Sequence, residues 1–250
     1  MRRLALLCLA ATLAPAVAGA DERPYAFTYE ATTPAAGETE VELYETYYVP
    51  AGGGQTGRKA IHQLELGRGI TDQFDLAVYG VFSSTTAKPF EFAGVKLRGR
   101  YKVLTAATSA SPVDLVLYLE GAKEVVEDEP WALEEKIIFG RDFGRYGFAV
   151  NLVAEQEFVG GEVVKVWGWS AGTAIGVADG LRVGVETFGE WKKEGGVSET
   201  EAFAGPSAVV ALPFLRVGSI NSAWLTMGVG FGLNTTSDDV RARALLGVDF

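Results

Sequence analysis

The stretch DVRARALLGVDF, residues 239–250, has two chemically different faces when its backbone is extended. Every second residue from Val240 to Phe250 is apolar, whereas the intervening positions include Arg241 and Arg243. A period of two residues is that of a β-strand whose faces meet different surroundings. In a membrane β-barrel, one face of each strand contacts lipid and the other lines the lumen. The stretch therefore predicts the closing strand of such a barrel, with both arginines in the lumen.

The aromatic residue that closes this strand is a second indication. An amphipathic strand that ends on an aromatic residue, here Phe250, resembles the terminal signal that the outer-membrane assembly machinery recognises. The resemblance implies that this machinery is a partner of the chain. It also implies that the destination is the outer membrane of a Gram-negative bacterium, where lipid and lipopolysaccharide surround the barrel.

The beginning of the sequence predicts export. Residues 1–20 contain two early arginines, an apolar run over Leu4–Leu13 and the small residues Ala18–Ala20, which is the pattern of a cleaved signal peptide. An N-terminal membrane anchor is the alternative, but the apolar run is short for spanning a bilayer. Cys8 is the only cysteine. Because it lies in the leader, the exported chain has no disulfide and no thiolate metal site.

Composition and motifs exclude several classes of function. The net charge of −10 argues against nucleic acid as a partner. After the leader there is no run of 18 apolar residues, so the sequence does not predict a transmembrane helix. No phosphate loop, nucleotide fingerprint or metal-ligand spacing is present. We therefore expect no cofactor and no metal.

Alternation continues through most of the chain and predicts an all-β fold. Residues 21–37 are interpreted as a periplasmic lead or partial plug, and residues 38–250 as a transmembrane, antiparallel up-and-down β-barrel of about twelve strands. An extra strand within residues 21–37 is the alternative, and it would make the number of strands odd. Short periplasmic turns and longer extracellular loops are expected, including a polar loop over residues 192–198. The predicted strands are residues 39–49, 59–67, 74–82, 93–104, 113–123, 132–141, 146–158, 163–177, 181–191, 200–210, 223–233 and 239–250.

One hairpin resembles a known family. Residues 65–72 read ELGRGITD within the hairpin Leu64–Phe82, a Gly- and Glu-rich segment spans residues 36–40, and Gly205 precedes Pro206 in a later strand. These features resemble the outer-membrane barrel family named after the meta-pathway of phenol degradation. The resemblance implies transport of aromatic or hydrophobic compounds. The predicted lumen departs from that expectation, because it has no hydrophobic stripe.

Tryptophans are expected in girdles at the two membrane surfaces. Trp131, Trp167, Trp169 and Trp191 fall near the predicted outer ends of strands, and Trp224 falls near the periplasmic end. A soluble β-sandwich with an aromatic core is the alternative. That fold would leave the signal peptide and the terminal Phe250 unexplained.

The predicted lumen is charged. The strand at residues 93–104 places four basic residues at alternate positions, and each would cost about 2–4 kcal/mol near the middle of a bilayer if it faced lipid. We therefore expect them to face inward, opposite acidic residues of the neighbouring strands. The predicted lumen-lining residues are Lys96, Arg98, Arg100, Lys102, Asp75, Tyr79, Asp114, Tyr118, Glu120, Glu155, Arg182, Glu186, Arg241 and Arg243.

Two interpretations of this lumen remain open. In the first, water fills the barrel and the charges select polar or anionic solutes. In the second, the charges pair across strands and close the interior, since twelve strands lie between filled and channel-forming barrels. Tyr79 and Tyr118, with the glycines at 228, 230 and 232, indicate open volume and favour the first.

Enzymatic readings are disfavoured by the sequence. Outer-membrane lipases and deacylases have an outward-facing histidine with a serine two residues later. Alternation predicts that His62 faces lipid, but position 64 is leucine, so His62 has no serine partner on its own strand and is interpreted as an interfacial polar residue. The acidic residues Glu127, Asp128 and Glu129 are interpreted as a solvated loop near lipopolysaccharide-bound cations. We therefore expect a non-enzymatic outer-membrane channel or uptake protein for small solutes. A closed barrel with a structural or surface-interaction role is the alternative, and a barrel enzyme is third.

Overall fold

The computed structural model describes residues 23–52, 57–125, 131–194 and 196–250. The predicted signal peptide, residues 1–20, and the acidic loop residues Glu127, Asp128 and Glu129 lie outside the described residues. Across the described ranges, no helix has the length and apolar character needed to cross a membrane.

The chain forms a closed antiparallel barrel of twelve strands, as the alternation predicted. Each strand pairs with its neighbours in the sequence, and the first also pairs with the last. A single 3₁₀ turn at Pro213–Leu215 interrupts the connections between described strands. The strands are β1 Thr39–Val49, β2 Lys59–Thr71, β3 Phe74–Thr85, β4 Glu91–Leu104, β5 Asp114–Glu124, β6 Trp131–Phe143, β7 Tyr146–Val159, β8 Glu162–Ala178, β9 Leu181–Glu194, β10 Val197–Ala211, β11 Ser222–Gly232 and β12 Val240–Asp249.

Closure occurs between β1 and β12. Their register runs from Glu40 opposite Asp249 to Val49 opposite Val240. Beyond β12, the N–H of Phe250 donates to the carbonyl of Thr39 at 2.9 Å. Every described strand of the barrel is therefore paired on both sides, and closure of this kind removes sheet edges. The end where β1 begins and β12 ends is called the terminal end here, and the opposite end the distal end.

The inner and outer faces follow the predicted alternation. On β3, Asp75 and Tyr79 are buried inside, whereas Leu76 and Val78 are exposed on the outer surface. In β1, tyrosines occupy both faces, so alternation alone does not decide which face is inward. The structure places Glu42 and Tyr44 inside and Leu43 and Tyr47 outside.

The prediction of a polar loop at residues 192–198 is wrong. β9 extends to Glu194 and β10 begins at Val197, because Lys192 pairs with Glu199 and Lys193 with Ser198 across the two strands. Cross-strand pairs of opposite charge stabilise a sheet. This hairpin therefore continues as regular ladder past the predicted boundary.

One tryptophan of the predicted girdles is also misplaced. Trp131, Trp167, Trp169 and Trp191 are exposed on the outer surface. Trp224 is instead fully buried, because it lies on the inner face of β11 opposite Gly247. A Cβ added at Gly247 would lie 2.2 Å from Cζ2 of Trp224. Glycine is therefore required where the indole crosses the adjacent strand.

This contact generates a stability prediction. We expect Gly247→Ala to lower the free energy of unfolding by about 1–3 kcal/mol, since overpacking forces the indole or the backbone to move. Urea titration of the folded barrel in detergent, followed by tryptophan fluorescence, measures the change. Gly121→Ala is the matched control, because nothing lies within 4 Å of a Cβ added to that strand position. Equal effects of the two substitutions would contradict the clash.

Candidate functional site: the barrel lumen

The chain segment that precedes β1 occupies the lumen. Tyr25, Ala26 and Thr28 are buried, and they contact inward-facing residues of strands on several sides of the barrel. The segment forms bends rather than a strand. We call residues 23–36 the inner segment.

A glutamate on β9 anchors the middle of the inner segment. The carboxylate of Glu186 accepts three consecutive backbone N–H groups, from Ala26 at 2.7 Å, Phe27 at 2.9 Å and Thr28 at 2.9 Å. Consecutive N–H groups that converge in this way form an anion-binding concavity. Here the bound anion is a side chain of the barrel wall.

An asparagine on β7 anchors the next residue. The side-chain oxygen of Asn151 accepts the N–H of Tyr29 at 2.7 Å, and its amide nitrogen donates to the carbonyl of Tyr29 at 2.9 Å. The hydroxyl of Ser170 donates to the same Asn151 oxygen at 3.1 Å. One side chain thus satisfies both backbone groups of a residue that has no strand partner.

Arg23 ties the start of the inner segment to β1. Its guanidinium pairs with Glu42 at 3.0 Å and with Glu30 of the same segment at 3.5 Å, and it donates to the hydroxyl of Tyr44. The hydroxyl of Thr226, on β11, donates to the Arg23 carbonyl. The ion pair with Glu30 folds the segment back on itself.

The volume expected from the glycines is filled. A Cβ added at Gly172 would lie 2.5 Å from the Tyr25 ring, and one at Gly228 would lie 2.5 Å from Cβ of Ala26. Gly230 is covered in the same way by the ring of Phe188, at 2.6 Å. The glycine face of β11 therefore makes room for the inner segment and for Phe188, and the expectation of open space beside it is wrong.

The hairpin at residues 65–72 receives the other end of the inner segment. A Cβ added at Gly69 would lie 2.0 Å from the carbonyl oxygen of Ala35. The carboxylate of Asp72 accepts the N–H of Ala36 at 3.1 Å, and its carbonyl accepts the hydroxyl of Thr33 at 3.2 Å. These residues of the motif thus shape the path by which the segment leaves the lumen.

The basic residues of β4 are brought together with acids on the neighbouring strands. Arg98 is 1% exposed, and its Nη2 lies 2.9 Å from Glu65 and 3.0 Å from Asp75. Arg100 binds the other oxygen of Asp75 at 2.8 Å. In this sector the charges pair and fill the interior, as the second interpretation of the lumen described.

The inward-facing basic residues of β4 continue toward the distal end with Lys96, which belongs to a smaller network. Lys96 pairs with Glu120 at 2.9 Å, and the hydroxyl of Tyr118 donates to the same carboxylate at 2.7 Å. Tyr79 is buried with its ring 5.9 Å from the Arg98 guanidinium. The two tyrosines therefore pack among the ion pairs and do not border an open channel.

A cavity of about 330 Å³ lies on the terminal side of the inner segment. Lys102 and Asp114 line it, together with Tyr25 and Glu30 of the segment. Asp114 also accepts the N–H of Ala106 at 2.9 Å. Of the predicted lumen residues, these two border open space at the terminal end.

A second cavity, of about 210 Å³, lies on the distal side. Its lining includes Glu155, Arg241 and Arg243, which the sequence predicted, and also Glu190 and Phe27. The structure thus brings predicted lumen residues of β7 and β12 to one water-accessible space. Arg182 lies elsewhere, in an ion pair with Asp142 at 2.7 Å near the terminal end.

An aromatic stack forms one side of the distal cavity. Phe188 stacks on Phe27 at a ring separation of 4.1 Å and on Phe203 at 4.9 Å. Arg243 lies 5.0 Å from the Phe27 ring and Arg241 lies 4.4 Å from the Phe203 ring. The two arginines thus cap the stack, and Arg241 also pairs with Glu201 at 2.6 Å.

Several important residues were not among the predicted ones. Glu42, Glu65 and Asn151 hold the inner segment or the buried arginine, yet each reads in the sequence only as one polar residue at an alternating position. Their inward parity was detectable, but their partners were not. In the described part of the chain, no group of three or more His, Cys, Asp or Glu side chains is arranged to hold a metal ion.

The buried ion pairs generate a second stability prediction. We expect Arg98→Ala to lower the free energy of unfolding by about 3–5 kcal/mol, since it leaves Glu65 and Asp75 buried without their cation. The matched control is Lys102→Ala, on the same strand and inner face, whose side chain borders the terminal cavity. Urea titration in detergent measures both variants. Equal stability of the two would contradict a structural role for Arg98.

Comparison with known proteins places the fold among outer-membrane barrels. No protein-family model matches the chain, and no curated protein matches it in sequence. Its structure is similar to an outer membrane channel from Pseudomonas putida F1, with a TM-score of 0.60 and 11% identity over 88% of this chain and 97% of that chain. It is also similar to the NanC porin, with a TM-score of 0.56 and 8% identity over 84% of this chain and 98% of that chain. At these identities the likeness establishes a shared fold.

Proposed function

We propose that this chain is a channel of the Gram-negative outer membrane that passes small polar or charged solutes through its lumen, with the inner segment as the movable partition. One observation carries the proposal: the inner segment borders both lumenal cavities. Phe27 lines the distal cavity, whereas Tyr25 and Glu30 line the terminal one. Displacing one short stretch of chain would therefore join the two spaces.

The way in which the inner segment is held supports a movable partition. It is tied by hydrogen bonds and ion pairs to Glu186, Asn151 and Glu42 rather than by strand pairing. Water that enters the lumen when the segment withdraws can hydrate each of these partners, so release exchanges protein contacts for water contacts. The strands around it are held by continuous backbone ladders and stay in place.

The lining of the cavities supports charged or polar solutes. The distal cavity combines Glu155 and Glu190 with Lys136, Arg241 and Arg243. A lining that carries both signs of charge favours hydrated polar molecules over purely apolar ones. This composition does not favour a phenol-type substrate.

We also propose that the chain belongs with the meta-pathway barrels, and that its terminal end faces the periplasm. Gly69 and Asp72 contact the inner segment. The hairpin that resembles the meta-pathway family therefore has a structural role in this barrel, which supports membership of that family. The position of Phe250 at the barrel seam supports its proposed use as the signal for the assembly machinery. Outer-membrane lipid and lipopolysaccharide would contact the apolar outer surface.

A closed barrel with a structural role is the second candidate. The paired charges around Arg98 and Asp75 favour it, because they fill one sector of the lumen completely. The two candidates differ in what happens when the anchors of the inner segment are weakened. A channel opens, whereas a structural barrel only loses stability.

Single-channel recording in a planar bilayer tests the channel. We expect rare openings from the full-length exported chain and at least several-fold more open time from Glu186→Gln, since an amide holds the three N–H groups less strongly than a carboxylate. Glu190→Gln is the matched control, because Glu190 is on the same strand and lines the distal cavity, whereas the three N–H groups of the segment bind Glu186.

The outcomes separate the candidates. Equal open times for the two variants would refute the partition role of the inner segment. Silence from a folded chain that lacks residues 21–36, with folding checked by heat-modifiable mobility, would refute the channel and favour the structural barrel.

A further inference from the structure

Three polar side chains meet on the outer surface of the barrel, away from the lumen. Glu45 of β1, His62 of β2 and Ser84 of β3 all lie at outward positions of their strands. The register places Glu45 directly opposite His62, and Ala60 opposite Ser84. Ser84 is therefore the diagonal neighbour of His62 on the next strand, close enough for side chains to interact.

The contacts run in one line from acid to hydroxyl. Nδ1 of His62 contacts Oε2 of Glu45, and Nε2 of His62 lies 3.1 Å from Oγ of Ser84. When Nδ1–H donates to the carboxylate, the lone pair of Nε2 faces the serine hydroxyl. This is the order of groups in a hydrolytic triad of nucleophile, base and orienting acid.

The sequence offered no serine beside His62 on its own strand, since position 64 is leucine. The closed sheet supplies it from β3 instead, 22 residues further along the chain. Triads are defined by geometry and not by sequence spacing.

The surroundings of the triad are apolar and aromatic. The ring of Phe90 lies 5.3 Å from the His62 ring and 5.1 Å from that of Phe82. Phe90 and Phe92 are 61% and 46% exposed. Aromatic residues form girdles at both membrane interfaces of outer-membrane barrels.

The triad also lies near one end of the barrel. Ser84 is the residue before the end of β3 at the distal end of the barrel, and His62 is close to the start of β2. In the proposed orientation this level is the extracellular end of the barrel, where we place the boundary between acyl chains and headgroups of the outer leaflet. Lipid acyl esters lie at that boundary.

We propose that Glu45, His62 and Ser84 form a serine-hydrolase site that cleaves fatty-acyl esters of membrane lipids from the outer face of the barrel. This activity is separate from the proposed channel and does not depend on it. The substrate chemistry is an acyl ester at a lipid interface, whether the lipid is a glycerophospholipid or a lipopolysaccharide.

The proposed reaction is the hydrolysis of an ester in two steps through an acyl-serine. Oγ of Ser84 attacks the ester carbonyl carbon as Nε2 of His62 takes the hydroxyl proton. The ester C–O bond then breaks, and His62 returns the proton to the departing alkoxide, which leaves as an alcohol. His62 then deprotonates a water that attacks the acyl carbon, the bond from that carbon to Oγ of Ser84 breaks, and His62 returns the proton to Oγ. The fatty acid leaves and the Ser84 hydroxyl is restored, so one ester and one water give one alcohol and one acid.

Two readouts test the site on residues 21–250, the chain without the predicted signal peptide. This chain is refolded from inclusion bodies so that host lipases are absent. The first is fatty-acid release from mixed micelles of phosphatidylethanolamine, with a parallel arm of purified lipopolysaccharide to identify the lipid source. The second is labelling by a fluorophosphonate, with the modified residue located by mass spectrometry. We expect release in at least one arm, and a label on Ser84.

Matched variants isolate the nucleophile and the base. We expect Ser84→Ala to abolish labelling and to lower release by about 10³-fold. His62→Asn should lower both to a similar extent. Ser83→Ala is the control, because Ser83 is the adjacent residue but lies on the inner face of β3, and it should keep full activity. Heat-modifiable mobility confirms that each variant is folded.

Glu45 is a positioning residue, and its test separates orientation from structure. We expect Glu45→Ala to lower kcat with KM unchanged, and Glu45→Gln to recover part of kcat, since an amide oxygen still accepts the Nδ1–H of His62. Failure of the folded wild type to release fatty acid above the Ser84→Ala level in both lipid arms, together with no label on Ser84, would overturn the proposal. Equal labelling of wild type and His62→Asn would also overturn it.

Discussion

Closure of the sheet between β1 and β12 is the constraint on which the rest of the structure depends. Each strand has a neighbour on both sides, so the backbone is satisfied within the sheet and the outer surface can be apolar. The same closure sends every second side chain into one enclosed space. The polar residues there must find partners with one another, and the pairing of Arg98 with Glu65 and Asp75 is one result.

Ion pairs alone do not fill a barrel of this size. Side chains fill the interior of eight-stranded barrels, and twelve strands leave additional volume. The inner segment takes much of that volume, and the wall is shaped to receive it. Gly172 and Gly228 leave space for Tyr25 and Ala26, while Glu186 and Asn151 satisfy the backbone of a stretch that has no strand partner.

The alternation of the sequence was sufficient to predict the strand number, the inward position of the β4 charges and the outward position of His62. Each of these depends only on parity along one strand. The partners were not predictable, because they depend on register and on chain path. Ala26 and Glu186 are 160 residues apart, and no local pattern indicates that one binds the other. Trp224 is a different kind of miss: parity along β11 places it inward with Thr226 and Gly228, whereas the girdle prediction used only its position near the strand end.

The two proposed functions use opposite faces of β1, and a change on the inner face leaves the outer face in place. β1 carries Glu42 and Tyr44 on its inner face, where they bind Arg23, and Glu45 on its outer face, where it contacts His62. β1 is paired along its whole length with β2 and β12. Release of Arg23 changes the side-chain partners inside but breaks no ladder bond of β1. The position of Glu45 is fixed by that ladder, so the outer triad keeps its geometry whether the inner segment is seated or withdrawn.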